Sequence, residues 1–151
     1  MKKIFKPDRN FKPFPTEEGD ELFPNGIFVF NISRMLEYIG DNPGLFTPES
    51  VSVEEVYSPH HQINEAHLDN ADLSVPVILA EIAPDRYNLI DGHHRVEKAF
   101  HQNIERIKAF RLKSQQHIQF LESKEAYEKY VDYWNGKIKE MQKLKIGRDI
   151  S

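Results

Sequence analysis

An α+β domain built on a small mixed sheet is the fold class that the sequence predicts, and three observations predict it. Residues 75–82, Val-Pro-Val-Ile-Leu-Ala-Glu-Ile, are almost wholly apolar and β-favouring, and Pro84-Asp85-Arg86 turns them into a second run, Tyr87-Asn88-Leu89-Ile90. Val96, Ala99 and Phe100 then fall at i, i+3 and i+4, the stripe of a helix lying on a sheet. Downstream, Tyr127, Tyr130, Val131, Trp134, Ile138 and Met141 share one helical face, so an aromatic C-terminal helix is expected against the core.

Taken in order, the elements start late. Pro7, Pro13, Pro15 and Pro24, with Gly19 and Asn25-Gly26, make regular structure sparse over residues 1–26, which are expected as an extended arm lying on a single domain of residues 27–151. Ile27-Phe28-Val29-Phe30 reads as a short strand feeding a helix over 34–39, with Ser33 as its cap and Gly40 as its stop. Residues 51–57 alternate imperfectly and are read as strand, with a short helix as the alternative. The polar stretch 58–74, with His60, His61 and His67, is expected as a loop containing a helical turn. The run at 75–82 is the strongest strand, with Pro76 tolerable near its entry. After the helix that carries Val96, Ala99 and Phe100, Asn103 suits a left-handed cap, and residues 104–112 read as a further strand with Ile107, Ala109 and Phe110 turned inward. Beyond Ser114 the pattern is helical, weakened at Asn135-Gly136.

Composition narrows the chemistry. A chain of 151 residues with 39% hydrophobic and 29% charged residues fits one ordinary globular domain. No apolar run is long enough to span a membrane, and the basic start, Met1-Lys2-Lys3-Ile4-Phe5-Lys6-Pro7, lacks the apolar core of a secretory signal, so a cytoplasmic location and no membrane partner are expected. The absence of cysteine excludes disulfides, thiolate metal sites and cysteine nucleophiles. Residues 1–104 carry 9 Lys/Arg and 17 Asp/Glu, whereas 105–151 carry 11 and 7, so a modestly basic tail follows an acidic body. A solvated helix surface accounts for that tail better than a phosphate-backbone interface does, and nucleic acid is not the favoured partner.

The chemistry concentrates at Asp91-Gly92-His93-His94-Arg95, where an apolar strand breaks into a helix. A helix start presents first-turn amides and the positive end of the helix dipole, which together favour an anion. Gly92 admits a positive φ and close approach of a ligand, and Arg95 adds a planar donor fork. His93 and His94 can donate, become cationic near neutral pH, or act as general acid or base. Asp91 can cap the helix, orient a histidine or hold a metal ion. The plainer account is a turn with a helix cap and two idle histidines; Arg95 in the same turn tips the balance to an anion pocket. His93, Glu97 and His101 are spaced four apart, but that side drifts from the core stripe toward solvent, and His93 is expected before the regular helix, so a zinc site there is disfavoured.

The sequence of strand, Leu89-Ile90-Asp91-Gly92-His93-His94-Arg95, helix with Ala99, Asn103 and strand resembles the signature segment of the ParB/sulfiredoxin-like superfamily, over roughly residues 75–112. The resemblance implies a small mixed sheet with flanking helices, and phosphate binding by Gly92, His93, His94 and Arg95, with Asp91, His93 and His94 as catalytic candidates. It implies a nucleoside triphosphate or diphosphate with magnesium as cofactor, and a small molecule or a protein side chain as acceptor. Sulfiredoxin chemistry is excluded by the missing cysteine, and the helix-turn-helix domain and arginine-rich box of partition proteins have no counterpart. Nucleotide-dependent phosphoryl transfer is therefore the leading expectation. A nucleic-acid-directed nuclease or binding module and a non-catalytic nucleotide-sensing domain are the alternatives. A general base has to come from elsewhere, with Glu37, Glu54 and Glu55 as candidates.

Overall fold

The computed structural model describes residues 3–26, 28–58 and 70–150, the last four by backbone alone. Its elements are β1 (Leu22–Asn25), β2 (Phe28–Asn31), α1 (Ile32–Asp41), β3 (Glu49–Ser52), α2 (Val53–Val56), β4 (Val77–Ala83), β5 (Arg86–Asp91), α3 (His93–His101), β6 (Arg106–Leu112), α4 (Ser114–His117) and α5 (Lys124–Ile150). A 3-10 turn, Ile118–Phe120, follows α4. The architecture is α+β, as the sequence predicts.

The main sheet has the order β3-β6-β4-β5, in which β4 runs parallel to β6 and every other pairing is antiparallel. All seven residues of β4 are buried, which is why that segment reads as continuous apolar sequence rather than as an alternation. Val77 and Leu79 face a core with Val51, Val53, Val96, Ala99, Ile107 and Ala109. Ile78, Ala80 and Ile82 face the larger core formed with α1, α5 and β2, centred on Phe30, Tyr130 and Trp134. The hairpin turn is Pro84-Asp85, with Asp85 at φ 62°. Asn103 takes φ 57° and closes the end of α3 before the chain enters β6.

Several expectations need correction. The last residues of the arm are not irregular, because Leu22–Asn25 pairs antiparallel with β2 in a separate two-stranded sheet. Upstream, the arm is fastened to α5: the Phe5 amide donates to Asn135 Oδ1 (2.7 Å), Asn135 Nδ2 donates to the Phe5 carbonyl (2.9 Å), and Trp134 Nε1 donates to the Lys3 carbonyl (2.9 Å). The cap of α1 is Asn31, whose Oδ1 accepts from the Arg34 amide (3.1 Å); Ser33 instead accepts from the Glu21 amide (2.7 Å). Helix α1 also runs past Gly40 to Asp41.

The segment expected as one strand over 51–57 divides at Ser52, with a helical turn following. Phe100 is 43% exposed rather than a core residue, and it stacks on Tyr57 at 3.7 Å between centroids. Met141 likewise emerges from the core, and α5 continues unbroken through Asn135-Gly136. The loop expected over 58–74, with its three histidines, lies mostly outside the described residues. Among the described residues no helix is long and apolar enough to cross a membrane.

Candidate functional site

The corner between β5 and α3 is built on Gly92, which occupies the N-cap position at φ 103° and supplies no side-chain cap. A Cβ placed there would lie 2.4 Å from Val77 Cγ1 and 2.8 Å from Val77 Cβ, so the corner lies directly against the start of β4. Arg95 fastens the two together. Its Nη1 donates to the carbonyls of Val75 (3.1 Å) and Pro76 (2.8 Å), and its Nη2 donates to Asp91 Oδ2 (3.1 Å). Asp91 is therefore the partner of Arg95 and not the helix cap, which corrects the capping role open to it in the sequence. The guanidinium, with 16% of its side chain exposed, is largely committed to the chain itself and not held out as a fork for a ligand.

That commitment carries a prediction. Arg95→Ala leaves Asp91 without its charged partner and two carbonyls without donors, and it should lower stability by roughly 2 kcal/mol in urea denaturation. Arg95→Lys should restore only part of this, since an ammonium cannot reproduce the planar fork.

A cavity of about 330 Å³ opens beside the corner, and its polar lining consists of Glu21, Asp72, Asp91, His94 and Arg95. Two of these carboxylates had no signal in the sequence. Glu21 is held by its backbone against the start of α1: its amide donates to Ser33 Oγ and its carbonyl accepts from the Ile32 amide (2.9 Å). Burial raises the Glu21 pKa from its ordinary value, the neighbouring Asp91 carboxylate adds to this, and Arg95 opposes it. Asp72 is fixed by a local turn in which Oδ1 accepts from the Ser74 hydroxyl (2.6 Å) and amide (3.0 Å), and these bonds lower its pKa. The neighbouring Ala71 carbonyl accepts from Lys98 Nζ (2.8 Å), which ties the segment to α3.

Of the residues singled out in the sequence, Asp91, His94 and Arg95 line the cavity. Gly92 shapes the corner from behind. His93 stacks on Phe23 of β1 at 5.1 Å and so joins the corner to the small sheet. It is also the first residue of α3, not a residue before it. Even so, His101 Nε2 lies 2.9 Å from Glu97 Oε1 and the Tyr57 hydroxyl donates to the same oxygen, so the four-residue spacing serves ion pairing and packing. Among the described residues no group of three metal-binding side chains is gathered. The three suggested bases are elsewhere: Glu37 pairs with Arg34, Glu54 lines a groove with Phe100 and Arg106, and Glu55 is exposed on α2.

Chemically, the cavity sets three carboxylates against one guanidinium and the N-terminus of α3. Oxygen ligands of this kind suit a hard divalent cation that arrives with phosphates, since magnesium needs only one or two carboxylates besides them. No family model, no curated protein and no solved structure matches the chain.

Proposed function

We propose that the domain binds a nucleotide with its terminal phosphates at the Asp91–Arg95 corner and transfers a phosphoryl group to a hydroxyl of a small molecule or a protein side chain. The observation that carries this reading is the joining, in one cavity, of a helix N-terminus and Arg95 with the carboxylates Glu21 and Asp91. The first pair attracts phosphate oxygens and the second supplies a proton acceptor. His94, exposed at the rim, is a further donor to the phosphates.

Glu21 takes the role for which Glu37, Glu54 and Glu55 are badly placed. As the acceptor oxygen bonds to the terminal phosphorus, its proton passes to the Glu21 carboxylate, and the bond from phosphorus to the bridging oxygen breaks to leave the shortened nucleotide. A pKa raised by burial makes Glu21 a stronger base than a solvated carboxylate. Arg95, Asp91 and the α3 amides act by position and charge. Magnesium, when bound with the phosphates, supplies charge neutralisation.

Because carboxylates outnumber the guanidinium in the cavity, nucleotide should raise the melting temperature with magnesium present and far less with magnesium chelated. In an assay over a broad pool of hydroxyl-bearing acceptors, Glu21→Gln should lower turnover by about a hundredfold or more, with nucleotide affinity changed only a few-fold. Undiminished turnover in Glu21→Gln removes the proton-acceptor role. Tight binding with no turnover by the unmutated protein moves the reading to a nucleotide sensor, and salt-sensitive binding of oligonucleotides without nucleotide binding moves it to a nucleic-acid module.

A further inference from the structure

We infer that the cavity at the corner is a bipartite site, with the phosphates at its charged end and a nucleobase lying against an apolar lip formed by Leu36 and Val75. The inference rests on the phosphate-site reading above and names what the rest of the cavity holds. Leu36 and Val75 both line it, and they are 41% and 46% exposed. Neither belongs to a core cluster. Helix α1 buries Ile32, Met35 and Ile39, which leaves Leu36 on the side that faces the cavity. Val75 precedes β4, and its carbonyl is held by Arg95, so the position of the lip relative to the corner is set by the same guanidinium that shapes the phosphate end.

A cavity of about 330 Å³ is more than the phosphates alone require, and two aliphatic side chains exposed at its wall are unfavourable in water. The face of a purine or pyrimidine removes that apolar surface from water while the polar ring edge stays at the open mouth. Leu36 and Val75 offer no side-chain hydrogen bond, so the lip binds bases by area and not by edge. Asp72, whose Oδ1 accepts from Ser74, is a further carboxylate of the lining and the acceptor there for a ribose hydroxyl. The substrate class is accordingly a ribonucleotide with little base discrimination, larger bases binding somewhat better.

Calorimetric titrations in magnesium of tripolyphosphate, adenosine triphosphate and uridine triphosphate test this. Both nucleotides should bind about tenfold more tightly than tripolyphosphate, the worth of removing the lip and one base face from water. The double variant Leu36→Gln/Val75→Ser alters only exposed side chains and adds no charge. It should lose about that factor for both nucleotides and keep tripolyphosphate affinity within about twofold. Equal affinity of the unmutated protein for tripolyphosphate and nucleotides, or an equal loss for all three ligands in the variant, overturns the base subsite and leaves the phosphate site standing. Binding of none of the three overturns the phosphate-site reading and the inference with it.

Discussion

Gly92→Ala should destabilise the domain by about 3–5 kcal/mol, which is a large share of the stability of a chain this size. Two independent costs add. At φ 103° an L-residue is strained by the contact of its Cβ with the backbone, and the same Cβ would sit 2.4 Å from Val77 Cγ1. Val77 cannot give way, since it is 1% exposed and packed among Leu79, Val96 and Ala109. The two costs separate in a double mutant. Val77→Ala removes Cγ1, the nearer colliding atom, and leaves Val77 Cβ at 2.8 Å and φ unchanged, so Gly92→Ala should cost less in the Val77→Ala background than in the original protein. Urea denaturation measures both. A loss below about 1 kcal/mol for Gly92→Ala would show that the corner relaxes freely, and the close packing of Gly92 on β4 would no longer explain its presence.

Acid should weaken the fold through His117. This ring is fully buried, and burial lowers its pKa from 6.5 to about 4, with the Glu81 carbonyl only partly opposing the shift. Its Nε2 lies 2.6 Å from that carbonyl, so the neutral ring carries its proton there, and the Tyr130 hydroxyl donates to the same oxygen at 2.7 Å. Nδ1 is buried without a hydrogen-bond partner among the described residues, and protonation would place a charged N–H in that position. Phe30 meets the imidazole edge-to-face with 5.2 Å between ring centroids and offers no hydrogen-bond acceptor to a charged N–H. The unfolded chain therefore binds a proton more readily than the folded one. Stability is retained above pH 6.5 and falls as the pH drops through the window from 6.5 to 4. The loss at pH 4.5 relative to pH 7 is about 2–3 kcal/mol from this residue. His117→Gln keeps a donor for the carbonyl but does not titrate, so the difference between its denaturation midpoints at the two pH values should be smaller than that of the unmutated protein. Parallel pH profiles for the two proteins would remove His117 from the acid response.

Much of this architecture is written in local patterns, which explains which parts could be read ahead of the structure. The β4–β5 hairpin, α3, the turn at Asn103 and β6 depend on short apolar runs and periodicities and on residues that tolerate unusual φ, so neighbours in sequence decide them. Other features depend on what arrives from afar. Ser33 and Asn31 are both good caps by type, and the choice between them is made by the Glu21 amide, which takes Ser33 Oγ. Phe100 completes an apolar stripe on α3, yet Tyr57 meets it on an outer surface and not in the core. At the site, Asp91, Gly92, His94 and Arg95 stand out because four such residues share one helix start. Glu21 does not, because its importance comes only from the backbone bonds that lay the end of the arm beside α1. The structural engagement of Arg95 was hidden for a related reason: the carbonyls that its Nη1 meets lie 19 and 20 residues away.

The fastening of the arm to α5 has a consequence for the order in which the molecule can assemble. Phe5 and Asn135 are bonded across a separation of 130 residues, whereas the β4–β5 hairpin closes through a two-residue turn. Loop-closure entropy makes the hairpin and the helix after it the early pieces, and it defers contacts that span nearly the whole chain. The start of the arm can dock on α5 only after Trp134 and Asn135 have been made and folded, whereas Glu21, near the other end of the arm, is held by Ser33 only 12 residues away. During synthesis Glu21 and the corner can thus both be in place while the start of the arm is still loose. The clasp of Lys3 and Phe5 on α5 comes last, with the closure of the chain upon itself.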